Sequence, residues 1–236
     1  MKKFLRLLLL GGLSICLILI TAISVIWMRA PDFAAKRIEQ ALNVPTTISS
    51  IHFFLNSISI KNLEIENLPQ SYLKKAFSAE SIYIKNNILN YLDKTVTVDQ
   101  ISIDNIYLGL EFDSPKGTTG NWTTLMNNLD SSLTKPSKED SQFIEIKELI
   151  LTNIQVEVAY KSAGKKIKKL KLIPKIVLYN INSSEGLPSE QIMKSVLGQM
   201  LQSVFMKENL KNMFSEIFTQ PKDALDTLLS PFKSIF

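Results

Sequence analysis

The residues able to do chemistry are few. The chain has one histidine, His52, and one cysteine, Cys16. His52 lies in the alternation Ile51-His52-Phe53, where a packed or edge histidine of a strand accounts for it. Cys16 lies inside a long apolar run, so zinc-ligand spacing and an intrachain disulfide are both ruled out. G-x-S-x-G, H-E-x-x-H and phosphate-cradling glycine loops do not occur, and eight glycines are few. Glu64, Glu66, Asp99 and Asp104 occupy the polar positions of alternating segments, where solvation explains them. The expectation is a protein that is not an enzyme, with no catalytic residue, metal or cofactor.

One charged cluster stands out. Lys161, Lys165, Lys166, Lys168, Lys169, Lys171 and Lys175 surround Ser162-Ala163-Gly164. A solvated hairpin tip that resists edge pairing is one reading. Contact with anionic lipid headgroups is the other, with Lys165, Lys166, Lys168 and Lys169 as the membrane-surface candidates. Elsewhere charge is balanced. Of the formal net charge of +5, Lys2, Lys3, Arg6 and Arg29 supply four, so the body is nearly neutral. A nucleic-acid partner is not expected, because it would need a basic footprint on the folded domain.

The elements that must position these residues begin with an apolar helix. Leu7–Met28 carries no charge, and at about 1.5 Å rise per residue it spans roughly 33 Å, enough for a hydrocarbon core of about 30 Å. Trp27 sits at its far end, where an aromatic ring favours the interface. The run is too long for a signal-peptide h-region and no A-x-A-like site follows. Leu13-Ser14-Ile15-Cys16 is a poor lipoprotein box, because Ile15 is bulky. Basic residues flank the run on both sides, but a short tail before a long body places residues 30–236 outside the cytoplasm. The expected organisation is a membrane anchor over 1–29, a β-rich domain over 30–187 and an amphipathic helical tail over 188–236.

Pro31–Leu42 reads as a short amphipathic helix ended by Asn43-Val44-Pro45. Ser57–Asn67 then alternates apolar and polar, as does a strand with one dry face. Ile58, Ile60, Leu63 and Ile65 form the pattern apolar-x-apolar-x-x-apolar-x-apolar. Ile101, Ile103, Ile106 and Leu108 repeat it, as do Ile144, Ile146, Leu149 and Leu151, with starts a constant 43 residues apart. An extra residue would turn later side chains to the wrong face, so bends or bulges are expected at Lys61-Asn62, Asp104-Asn105 and Lys147-Glu148. Three matches at one step suggest a repeated unit. Ser81–Lys85 and Leu170–Asn182 are further strands, the latter at an edge or bulge because of Pro174. Asn121–Leu129 reads as a helix lying across the sheet, and Ser131–Gln142 as a loop. From Ser189 the period becomes helical, through Ile192, Val196, Met200 and Val204, then Leu210–Phe218 and Leu225–Phe232.

From the anchor through Ile38–Ile48 into Ser57–Asn67, the chain resembles the start of AsmA-like proteins. Thr46–Ile51 and Ser57–Asn67 match the family's strand pattern, Leu68-Pro69 its turn, and Ala79–Ile84 and Val98–Leu108 its next strands. The resemblance covers about Phe4 to Leu129. It implies an inner-membrane protein, single-pass with its bulk in the periplasm, whose curved and mostly antiparallel sheet forms a hydrophobic groove for phospholipid or another lipid. The fold class is then α+β: a transmembrane helix, the curved sheet and C-terminal amphipathic helices. Groove candidates are Ile58, Ile60, Leu63, Ile65, Ile101, Ile103, Ile106, Leu108, Ile144, Ile146, Leu149 and Leu151. The implied role is lipid binding or transport, or envelope assembly. This chain is much shorter than the family's long bridges, so its few strands reach only part of the way across a periplasm. The alternative is a membrane-tethered scaffold or secretion-system accessory that docks an envelope protein through 189–236.

Overall fold

The computed structural model describes residues 27–87, 89–90, 95–113, 119–132, 143–163, 166–181, 187–188 and 192–207. The expected span, except for Trp27 and Met28, lies outside these residues. So do Lys165, most of the Ser131–Gln142 loop, the Ser189 N-cap and the tail beyond 207. Among the described residues no helix is long and apolar enough to cross a membrane. The fold is α+β, with a curved, mostly antiparallel open sheet.

Helix α1 is already helical at Trp27 and runs to residue 42. It buries Ala35 and Leu42. Asn43 ends it in the left-handed region at φ 55°, donating its N–H to the Glu39 carbonyl at 2.7 Å. That is how an asparagine terminates a helix without a glycine. The next strands are β1 (Thr46–Thr47), β2 (Ser50–Phe54), β3 (Ser57–Glu66), β4 (Lys75–Lys85), β5 (Thr95–Val98) and β6 (Gln100–Phe112). Helix α2 (Asn121–Ser132) leads to β7 (Phe143–Tyr160), β8 (Ile167–Lys169), β9 (Ile173–Ile181), β10 (Leu187–Pro188) and helix α3 (Ile192–Lys207).

Strand order is β1-β3-β4-β6-β7-β10, with β2 also on β3 and with β5, β8 and β9 also on β7. All pairings are antiparallel except β5 and β6 with β7. Parallel neighbours need a crossover, and α2 supplies it, lying against β6 and α3. The offset is a constant 48, from Thr95↔Phe143 through Ile101↔Leu149 to Tyr107↔Gln155. The step of 43 in the sequence therefore does not place equivalent residues level with one another. Ile144 and Ile146 stand beside Val96 and Val98, while Ile101 and Ile103 stand beside Leu149 and Leu151.

The bends expected at Asn62 and Asn105 exist, and they line up with a third at Asn153. Asn62, Asn105 and Asn153 have φ of 51°, 52° and 53° in mid-strand. By register, Asn62 faces Glu80, Glu80 faces Asn105 and Asn105 faces Asn153, and the paired residues stop and resume around them. Each strand thus spends one extra residue at the same level. Register is kept, and alternation restarts in phase on the far side. Asparagine suits the position because its short polar side chain tolerates the left-handed region. Each side-chain amide also donates along the seam: Asn62 to Ser49 Oγ at 3.3 Å, Asn105 to Glu80 Oε2 at 2.7 Å and Asn153 to Asp104 Oδ1 at 3.0 Å. Pro174 of edge strand β9 falls opposite Asn153, where no ladder hydrogen bond is needed.

Lys147-Glu148, expected to be the third equivalent bend, belongs to a second seam. There the left-handed residue is Asn180 (φ 53°), opposite Lys147, and β5 breaks from β6 at Asp99 on its other side. Lys147 Nζ reaches Asp99 Oδ1 at 2.8 Å, which holds the Asp99 carboxyl below its ordinary value. Strand β7 crosses both seams, and that explains why the local motif recurs without a repeated unit.

Asn105→Gly should retain nearly full stability. Asn105→Val should lose about 1–3 kcal/mol in urea unfolding, the cost of a β-branched residue held left-handed.

Candidate functional site

With the alternation kept in phase, one face of the sheet is apolar from edge to edge. Cross-strand register aligns Ile51, Ile60, Ile82, Ile103, Leu151 and Ile176 in one row. Phe53, Ile58, Ile84, Ile101, Leu149 and Leu178 form the next row, nearer the β2–β3 turn. Beyond the seam, Leu63, Ala79 and Ile106 continue the same face, followed by Ile65, Phe77, Leu108 and Val156. The opposite face carries His52, Ser59, Tyr83 and Ser102 in one row. His52 is exposed there, away from the core.

The apolar face is covered unequally. Helix α2 buries Trp122, Leu125, Met126 and Leu129, and α3 adds Leu197, Met200, Leu201 and Val204 on the β9 side. Among the groove candidates, Leu63, Ile65, Ile103, Ile106, Leu108, Ile146, Leu149 and Leu151 are buried core residues. Ile58, Ile60, Ile101 and Ile144 are half-buried. Ile51, Phe53, Ile82 and Ile84 share that partial exposure. The open part of the face is therefore a strip over β2, β3, β4 and the start of β6. All four have a legible signal in the alternation of their strands, and register brings them onto the rows of the groove candidates.

Helix α2 is held by a buried polar clasp at the other end of the sheet. Glu111, fully buried, accepts the N–H groups of Tyr72 at 2.7 Å and Leu73 at 3.3 Å on one carboxylate oxygen. Its own N–H donates to Asn121 Oδ1 at 2.9 Å. Asn121 Nδ2 donates to Asn67 Oδ1 at 3.0 Å and to the Gly109 carbonyl at 2.9 Å, which Trp122 Nε1 shares at 3.0 Å. Gly109 must be glycine: a Cβ there would sit 2.2 Å from the Lys75 carbonyl oxygen. Asn128 Nδ2 reaches the Leu42 carbonyl at 2.8 Å and so ties α2 to the end of α1.

Lys166, Lys168 and Lys169 are exposed around β8. Strand β8 pairs with Glu157–Ala159, about eight to ten residues, or roughly 26–33 Å, along β7 from Leu149 in the row containing Phe53. The lysine cluster and the open strip thus lie at opposite ends of the sheet. Among the described residues no group of three or more histidine, cysteine, aspartate or glutamate side chains could hold a metal ion. The rows of the strip hold only aliphatic and aromatic side chains, so what this surface can do chemically is bury apolar matter. No family model, curated protein or solved structure matches this chain.

Replacing Glu111 by Leu should destabilise the fold by about 1–3 kcal/mol, because the buried Leu73 N–H and the half-buried Tyr72 N–H lose their acceptor. Chemical denaturation would measure this, and Glu66→Leu at the exposed end of β3 should change stability far less.

Proposed function

We propose that this chain is a single-pass membrane protein of AsmA-like type whose open apolar strip holds lipid acyl chains. The observation that carries the reading is the strip itself: two in-phase rows of Ile and Phe left half-exposed over β2–β4 while the rest of the same face is packed. An acyl chain laid along it would gain about 0.8 kcal/mol per methylene buried, with no polar partner required. The uncharged run Leu7–Met28 supports an anchor that would keep this surface beside a lipid source. On this reading the bulk of the chain lies in the periplasm and serves lipid binding, lipid movement or envelope assembly.

A second reading is a membrane-tethered scaffold that binds an envelope protein. It is favoured by α3, which takes up part of the apolar face that a lipid would otherwise use.

Native mass spectrometry of the full-length chain released from membranes separates the two. Phospholipid should co-purify with the native chain and be lost from Ile60→Asp and, separately, Ile84→Asp, with circular dichroism unchanged. A folded native chain free of lipid, or full lipid retention in both variants, would overturn the lipid reading in favour of the scaffold. Ile103→Asp and Ile146→Asp are unsuitable for this test, because both side chains are buried and their loss should unfold the sheet.

A further inference from the structure

We infer that the end of the sheet formed by the β2–β3 turn and the segment after β4 seats directly in the lipid interface, beside the anchor. The inference rests on the anchoring reading above and adds a second contact with the bilayer. Large apolar side chains collect at this end: Trp27 is 52% exposed, Met28 78%, Phe54 57%, Leu55 79% and Leu89 65%. They come from three separate stretches, the start of α1, the β2–β3 turn and the segment after β4, yet the fold gathers them. The Trp27 ring lies 6.5 Å from that of Phe53, which places the start of α1 at the end of β2. Ser57↔Lys85 pairing sets the β2–β3 turn level with the end of β4, and the Asn86 N–H donates to the Asn56 carbonyl at 3.1 Å.

The display of Leu89 is built. Asn87 Oδ1 accepts the Leu89 N–H at 2.9 Å, the Asn87 carbonyl accepts the Asn90 N–H at 3.0 Å, and Asn90 Nδ2 donates to Asn86 Oδ1 at 3.0 Å. These bonds fix the backbone on both sides of Leu89, whose N–H is already bonded within the turn and whose side chain is left exposed, so burying that side chain in lipid would cost the Leu89 N–H no partner.

What fixes the occupant is where the remaining chain enters. Residues 1–26 lead into Trp27, so the apolar run reaches the folded domain at this end and not at the lysine-rich end. A bilayer holding that run must lie against whatever surrounds Trp27. Exposed leucine and phenylalanine there, with Arg29 and Lys85 close by in sequence and exposed, suit an interface of acyl chains and anionic headgroups. The same placement opens the half-exposed strip, through Phe53, toward the membrane. Lys166, Lys168 and Lys169 then face away from this bilayer.

The test uses the full-length chain in phosphatidylethanolamine–phosphatidylglycerol liposomes, with Cys16→Ala as background. An environment-sensitive fluorophore is attached to Leu55→Cys, Leu89→Cys or, as control at the opposite end, Lys74→Cys. Labels at 55 and 89 should show blue-shifted emission quenched by lipids spin-labelled near the headgroup, and the label at 74 should show neither. Retention of the chain at alkaline pH with labels at 55 and 89 unquenched would overturn the seat and leave the anchor standing. Extraction of the chain from the liposomes at alkaline pH would overturn the anchor and the seat together.

Discussion

The sheet depends on every strand taking its irregular residue at the same level. A single extra residue in a period-two strand reverses every side chain after it. Here Asn62, Asn105 and Asn153 take that residue in the left-handed region, and β4 and β9 match it with Glu80 and Pro174. One apolar face therefore survives across both sides of the seam. Had only one strand carried the extra residue, its far half would have turned isoleucines to water and polar residues to the core.

Cover follows from the same constraint. A face apolar over its whole length must be buried or used. The clasp of Glu111, Asn67 and Asn121 fixes α2 over the far part, and α3 extends that cover toward β9. Helix α1 runs from beside Phe53 to the Leu42 contact with α2 and buries Ala35 and Leu42, yet along β2 to β4 the rows remain half-exposed. The division between packed and open is thus set by where the buried polar bonds pin the crossover helix.

Much of this was legible in the sequence. Ser57–Asn67 announced β3 through its alternation, and the x-x step at Asn62 and Asn105 announced the bends. Asn121–Leu129 announced α2 through its apolar spacing. The parallel partnership of β6 and β7 has no signal in the alternation of either strand, although a helix between two strands is the usual means of joining parallel neighbours. The constant step of 43 misled because β7 carries two irregularities, and the motif at Ile144–Leu151 spans Lys147-Glu148, not Asn153. Local periodicity cannot say which of two bends lies level with a neighbour's. The open strip was only partly legible for a similar reason: eight of the twelve groove candidates are buried, and alternation gives a side chain's face but not its cover. The gathering of Trp27, Leu55 and Leu89 was beyond the sequence, since turns far apart in the chain meet only through register.

The parallel offset also bears on how the chain is made. The meander β2–β3–β4–β6 is joined by antiparallel neighbours, so it can assemble as it emerges. Each residue of β6 waits for a partner 48 positions later. At synthesis rates of about 5–20 residues per second, that is roughly 2–10 s during which a long, Ile-rich edge stands unpaired. For that interval the nascent domain is a half-sheet with a sticky margin, and the speed at which α2 folds back determines how long the margin stays open to wrong partners.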